Sequence, residues 1–461
     1  PVGPGRRPGP TGRSRSRAEN RVEPVTATTR SRLASGPWSR ATAGLLTRDH
    51  RLEVPLDRSG AGDRRPDGTT TITVYAREIC LVESAATAVD PSTRPPLVFL
   101  QGGPGCEAPR PSADAGLGWL GALLEHHRVL LVDQRGTGLS TPIDRPDAGG
   151  GPAATARLLT HVRADEIVED CEDLRRALGI ERWSLLGQSF GGFCVTRYLS
   201  AHPESVETAF LTGGLPAVGR SIEEVYALTY AAMRDRSEEF YARYPADRDR
   251  MAALMRAAGR GEVRTSRGDV VGPERLRGLG SLLGAGGGLD RLHHLLEREP
   301  DSWAFCCDLA DALPFGGRNP LYAVVHESCW ADGGVTAWAA ERARPADFDD
   351  PTLLTGEHVR RTVFEEDATL RPWLEVAEAL AAHEWGSLYD ADALRAADVP
   401  GAAAVYVHDV YVPMETSLAT AALMPRLRTW VTSEYEHDGS RASGGAVFRR
   451  LRDLADGVVV R

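Results

Sequence analysis

The chain has 461 residues, enough for one large core plus a second domain or an insertion. Its hydrophobic share of 42% suits a soluble globular protein, and a net charge of −10 argues against general nucleic-acid binding. No apolar run approaches the length of a membrane span. Every basic residue is Arg and none is Lys, which reads as coding bias rather than function. The seven cysteines (80, 106, 171, 194, 306, 307 and 329) are scattered and show no C-x-x-C or Cys/His metal spacing. They point to a reduced, cytoplasmic protein without structural zinc, with Cys306 and Cys307 as apolar filler.

Residues 1–40 are rich in Arg, Pro, Gly and Ser and read as a disordered basic tail. They lack the apolar stretch of a secretory signal, and a nucleic-acid arm or transit peptide is the alternative to a solvated tail. Arg51 to Asp57 and Thr69 to Val82 alternate apolar and polar residues, the pattern of two antiparallel strands. Pro96 to Leu100 is a short apolar run ending in Gln101-Gly102-Gly103-Pro104-Gly105. His127 to Val132 is another, ending in Asp133-Gln134-Arg135-Gly136. Helical periodicity over Ala164 to Leu178 leads to the strand Trp183 to Gln188, and Val206 to Leu211 then closes in Thr212-Gly213-Gly214. Apolar strands alternating with helices imply a mostly parallel, doubly wound sheet covered on both faces.

Residues 216–395 break that rhythm with long Arg/Glu/Ala/Leu segments and read as an inserted helical cap. Their Gly284-Ala285-Gly286-Gly287-Gly288 lacks a preceding strand and the spacing of a dinucleotide loop, so a loop or helix stop is expected. The strand pattern returns at Ala402 to Val407, ending at His408-Asp409. It recurs at Leu427 to Thr432, ending at Ser433-Glu434-Tyr435-Glu436-His437-Asp438-Gly439, and Val447 to Leu454 closes as a helix. The division is thus a tail (1–40), a first core part (41–215), a cap (216–395) and a second core part (396–461).

The chemistry centres on Gly187-Gln188-Ser189-Phe190-Gly191, a G-x-S-x-G between a strand and a helix. Such a turn needs small neighbours because the serine backbone is strained, and it lifts the hydroxyl to the sheet edge. A serine hydroxyl is a poor nucleophile unless a base takes its proton and a third group orients that base. Ser189, Asp409 and His437 follow in the order nucleophile, acid, histidine, each past a strand end. Asp438 and His408 adjoin the last two and are their rivals. The two N–H donors for an oxyanion are expected from Phe190 and from the glycine loop, at Gly103.

Together, the Gly102-Gly103-Pro104-Gly105 loop, the Asp133-Gln134-Arg135-Gly136 segment and the Gly187 to Gly192 elbow resemble the proline iminopeptidase family of α/β-hydrolase serine peptidases. The resemblance runs from about residue 45 to the C-terminus, and Gln101 stands where many members carry His. It implies the α/β-hydrolase fold, removal of an N-terminal proline from short peptides through an acyl-enzyme, no metal or cofactor, and no nucleic-acid or membrane partner. It leaves the oligomeric state open. An esterase or broader aminopeptidase on the same triad is the alternative, and an inactive binding protein of the same fold is a further one. In the family, cap glutamates bind the substrate amine. Val325-His326-Glu327-Ser328 resembles one such position, giving Glu327, and Phe364-Glu365-Glu366-Asp367 resembles the second, with Glu365 preferred over Glu366. Trp330 and Phe364 are candidate walls for the pyrrolidine ring, with core packing as the equal alternative for both.

Overall fold

A computed structural model describes residues 1, 3, 32–41, 44–82, 91–111 and 117–460. Ten strands form one sheet: β1 (Leu33–Ser35), β2 (Ser39–Arg40), β3 (Leu45–Pro55), β4 (Thr71–Leu81), β5 (Pro96–Leu100), β6 (Arg128–Asp133), β7 (Trp183–Gln188), β8 (Val206–Thr212), β9 (Gly401–Tyr406) and β10 (Leu427–Thr432). Their spatial order is β1-β3-β4-β6-β5-β7-β8-β9-β10, with β2 also on β3. The pairs from β6 to β10 are parallel, and β3, β4 and their neighbours at the other edge are antiparallel.

The central strands are apolar throughout because both faces are covered. Along β5, Leu97 and Phe99 point into one core, and Val98 and Leu100 into the other. The first face carries α1 (Gly118–Leu124) and the C-terminal helix Ala446–Ala455. The second carries α2 (Pro152–Leu159), α3 (Ala164–Leu178) and α4 (Phe190–Ala201). Helix α3 begins with Asp165 and Glu166, ends with Arg175 and Arg176, and stops at Gly179 in the left-handed region (φ 69°). Each of these choices favours a helix with those ends.

Between β8 and β9 the chain runs through helices only, starting with α5 (Ile222–Arg243). Ser221 and Glu224 close a reciprocal capping box at its start. This region has its own apolar core, which includes Tyr230, Met233, Phe240, Leu254 and Leu292. Its β structure is confined to two isolated bridges, Arg264 with Val270 and Gly334 with Trp385. The glycine run lies where a 3₁₀ turn, Gly278–Gly284, hands over to the helix Gly288–Leu296.

The tail reading needs correction at its end. Residues 2 and 4–31 lie outside the described residues, but Leu33–Ser35 and Ser39–Arg40 pair with β3. The long β3 offers an open edge, and short extended segments add to it without an apolar pattern of their own.

A buried ion cluster fastens the antiparallel edge to the parallel core. Arg135 donates Nε to Asp170 (2.7 Å) and Nη1 to the Leu56 and His161 carbonyls (3.1 and 2.9 Å). Arg58 reaches the same Asp170 at 2.7 Å. Arg135→Met should therefore cost about 3 kcal/mol in a urea melt, since it strips a buried carboxylate and two carbonyls of donors.

Candidate active site

Strand β7 delivers Ser189 into a backbone conformation with φ 55° and ψ −127°. A non-glycine residue there is strained by roughly 1–3 kcal/mol. The surroundings over-determine it: Ser189 N–H donates to the Thr212 carbonyl (3.1 Å), and its own carbonyl accepts from Gly192 N–H (2.7 Å). Helix α4 can start this close to the sheet only on glycine. A Cβ on Gly191 would lie 1.9 Å from the Leu100 carbonyl oxygen, and one on Gly192 would lie 2.3 Å from that of Gly214.

Asp409 follows β9 and is buried. Its Oδ1 accepts from the Tyr411 and Val412 N–H groups, both at 2.9 Å, which aims Oδ2 at His437. His437 Nδ1 donates to that Oδ2 at 2.8 Å. The ring packs edge-on against Tyr411, with centroids 4.9 Å apart. Burial works against a charged imidazole, but the Asp409 charge and hydrogen bond, aided by Glu357, outweigh it and raise the His437 pKa. The loop after β8 sits between these groups and the serine. A Cβ on Gly213 would stand 3.1 Å from His437 Nδ1, and one on Gly214 would stand 2.4 Å from the Ser189 carbonyl. Among the described residues no hydrogen bond joins Ser189 Oγ to the ring. Contacts of this kind commonly tighten only when substrate is bound. Of the two rivals, Asp438 turns to the Gly286 N–H at 3.2 Å. His408 is exposed.

The glycine loop after β5 crosses the serine: a Cβ on Gly102 would lie 3.0 Å from Ser189 Cβ. Gly103 has φ 132°, a conformation open to glycine. Its N–H and that of Phe190, at the start of α4, donate to no other described residue. The segment after β6 clamps this loop from behind. Gln134 Nε2 donates to the Gln101 carbonyl (2.8 Å), and the Asp133 carboxylate accepts from Ala108 N–H (3.1 Å) and Leu139 N–H (2.9 Å).

The candidate amine carboxylates are distributed differently from expectation. Glu327, in the short helix His326–Trp330, is buried and accepts from Ala340 N–H at 3.0 Å. Burial lifts its pKa to about 7 against that backbone bond. Glu365 is exposed and pairs with Arg361, one helical turn earlier. Glu366 accepts from Arg275 N–H at 3.0 Å at the start of another helix. The carboxylate whose charge acts on His437 beside that of Asp409 is Glu357, which sequence reasoning missed. Tyr322 donates its hydroxyl to it, and its charge is felt by His437. Burial, with the negative charge of Asp409, lifts the Glu357 pKa to about 7, while His437 and Tyr322 oppose the shift. The buried Tyr226 hydroxyl has no partner among the described residues, and the charges of Glu327 and Glu357 both act on it. Trp330 packs edge-on to Phe193 of α4 at 4.6 Å, and Phe364 edge-on to Trp338 at 5.7 Å. Phe364 and Glu327 line one small cavity, whereas Trp330 bridges the helical region and the core.

The family model for the alpha/beta hydrolase fold matches residues 95–250. A proline iminopeptidase of Aeromonas sobria is 39% identical over 434 residues, covering 90% of this chain and 98% of that protein. One from Aspergillus aculeatus is 32% identical, covering 89% of this chain and 94% of that protein. A probable proline iminopeptidase of Streptomyces coelicolor is 36% identical over a shorter stretch, 33% of this chain and 43% of that protein.

Proposed function

The chain belongs to the proline iminopeptidase family, and from that premise we propose that Ser189, His437 and Asp409 are the nucleophile, general base and orienting acid of a serine exopeptidase releasing N-terminal proline from peptides. The observation that carries the reading is the 2.8 Å bond from His437 Nδ1 to an Asp409 carboxylate already aimed by two backbone N–H groups. With Nδ1 engaged, Nε2 is the nitrogen left to take a proton from Ser189.

Each step follows from that polarity. His437 Nε2 removes the hydroxyl proton as Ser189 Oγ adds to the proline carbonyl. Gly103 and Phe190 N–H groups receive the negative charge that develops on the carbonyl oxygen; a lost donor of this kind costs about 3–4 kcal/mol of barrier. The imidazolium, stabilised by Asp409, gives its proton to the departing amine and leaves a prolyl ester on Ser189. Water then repeats the sequence and frees both proline and the serine.

An N-terminal proline brings a secondary ammonium, which is costly to bury unpaired. Glu357, whose charge acts on His437, is the proposed partner, with Glu327 as a second carboxylate, since the charges of both act on the buried Tyr226 hydroxyl. Glu365, on the surface with Arg361, is not proposed for this role. Trp330 and Phe364 are walls of the surrounding apolar region. The reading of a reducing compartment such as the cytoplasm rests on the sequence pattern of seven scattered cysteines.

A panel of aminoacyl-arylamides tests the reading. Pro-arylamide should be hydrolysed and its N-blocked counterpart should not, and Ser189→Ala should fold while losing on the order of 10⁶ in kcat. Turnover of the blocked compound at a comparable rate would point to an esterase or endopeptidase instead.

Glu357→Gln should raise KM for Pro-arylamide about 10- to 100-fold, as expected for a lost charge-assisted contact. It should slow labelling of Ser189 by an uncharged fluorophosphonate far less. Equal losses in both assays would remove the amine role.

The same pair of assays separates two acid limbs. Below pH about 7 Glu357 takes up a proton and loses its attraction for the ammonium. Below its own raised pKa, His437 is protonated and cannot act as base. In wild type, kcat/KM for Pro-arylamide should therefore fall more steeply with acid than the labelling rate does. In Glu357→Gln the two pH profiles should run parallel.

A further inference from the structure

The acid of the triad is held by the core, but the histidine is held from elsewhere. Among the described residues, four hydrogen-bonded contacts leave the His437 loop, residues 433–438, beyond its own strand and helix. One is His437 to Asp409, and the other three go to the helical region. His437 N–H donates to the Gly284 carbonyl at 3.2 Å. Asp438 Oδ1 accepts from Gly286 N–H at 3.2 Å. Arg236 of α5 forms an ion pair with Glu436 through Nη2.

Arg236 serves two of these contacts. It is largely buried, and its Nε donates at 3.2 Å to the carbonyl of Leu283, the residue before Gly284. The glycine run makes the close approach possible. A Cβ on Gly284 would fall 2.4 Å from the Tyr411 ring, the same ring that packs on His437. Tyr411 is tied to the helical region as well, through its hydroxyl to the Ser281 carbonyl at 2.5 Å.

We infer that Arg236 and Glu436 are positioning residues that set His437 against Ser189, so that the general base is in register only while the helical region is seated on the core. Without the pair, the loop keeps the Asp409 bond but loses its Glu436 anchor and the brace that Arg236 gives the turn offering the Gly284 carbonyl. The ring can then swing about Nδ1 while Nε2 leaves the serine. A misplacement of about 1 Å is enough to cost on the order of 100-fold in such a transfer.

The inference rests on His437 acting as base on Ser189, so the test reads that step apart from proline recognition. Glu436→Gln, Arg236→Gln and the double variant are compared with wild type for fluorophosphonate labelling of Ser189 and for kcat and KM on Pro-arylamide. Thermal melts set the folded fraction. Labelling rate and kcat should fall together by about tenfold. KM should stay within about twofold, and the double variant should be no slower than the slower single. If Arg236→Gln does not fold, Asp438→Ala removes the Gly286 contact alone and should show the same joint fall, smaller in size.

Folded Glu436→Gln that labels at the wild-type rate, or a change confined to KM, would overturn the inference. A wild-type enzyme that labels but does not cleave Pro-arylamide would overturn the proline reading and leave this one standing.

Discussion

The backbone at Ser189 is held against its own preference, and the arrangement around it follows from that constraint. A residue at φ 55° and ψ −127° relaxes unless several neighbours forbid it. Here the ends of the two neighbouring strands do so. Strand β8 supplies the Thr212 carbonyl to the Ser189 N–H, and β5 supplies the Leu100 carbonyl that only a glycine at 191 can approach. The same crowding brings the Gly102 loop and the Gly213-Gly214 loop to the serine from opposite sides. The proposed oxyanion donors and acid–base pair are therefore not placed independently: the Gly102 loop lies against the serine, and the Gly213-Gly214 loop stands between it and the His437–Asp409 pair.

This explains why the core was legible in the sequence. Helix Ala164–Leu178 and strand Pro96–Leu100 fall where their patterns put them, because burial on two faces leaves a continuous apolar run in the strand and one-sided burial leaves a 3.6 repeat in the helix. Elbow, glycine loop and acid–histidine order are local signals with fixed geometric consequences. Glu357 carried no such signal. It lies in an irregular stretch between Leu354 and Val359, among residues buried by tertiary packing rather than by a periodic face. Glu365 had the more regular context, but helical regularity also gave it a surface position and a partner one turn away in Arg361. The short strands β1 and β2 were missed for a related reason, since it is the open edge of β3 that makes them strands.

The glycine run at 284–288 shows how a segment with no motif value can still bear on the site. Read by itself it is a loop between two helical turns, and so it is. Its lack of side chains lets the helical region reach Tyr411 and offer the Gly284 carbonyl to His437 N–H. The proposed acid and base are thus supported from different sides: Asp409 by backbone N–H groups of its own loop, His437 by Asp409 and the inserted helices.

Electrostatics then links recognition to chemistry. Glu357 is enclosed, resists ionisation, and as an anion raises the pKa of His437. A raised pKa favours the protonated ring, which is the wrong form for accepting a proton from serine. In the proposed binding mode, a secondary ammonium paired with Glu357 reverses both tendencies. It stabilises the carboxylate and cancels the negative field at the ring, so His437 returns toward the neutral form while Asp409 keeps its orientation. An N-blocked peptide brings no such charge and leaves the base partly occupied. In the proposed reading, discrimination for a free proline amine is then expressed in the readiness of the base as well as in binding.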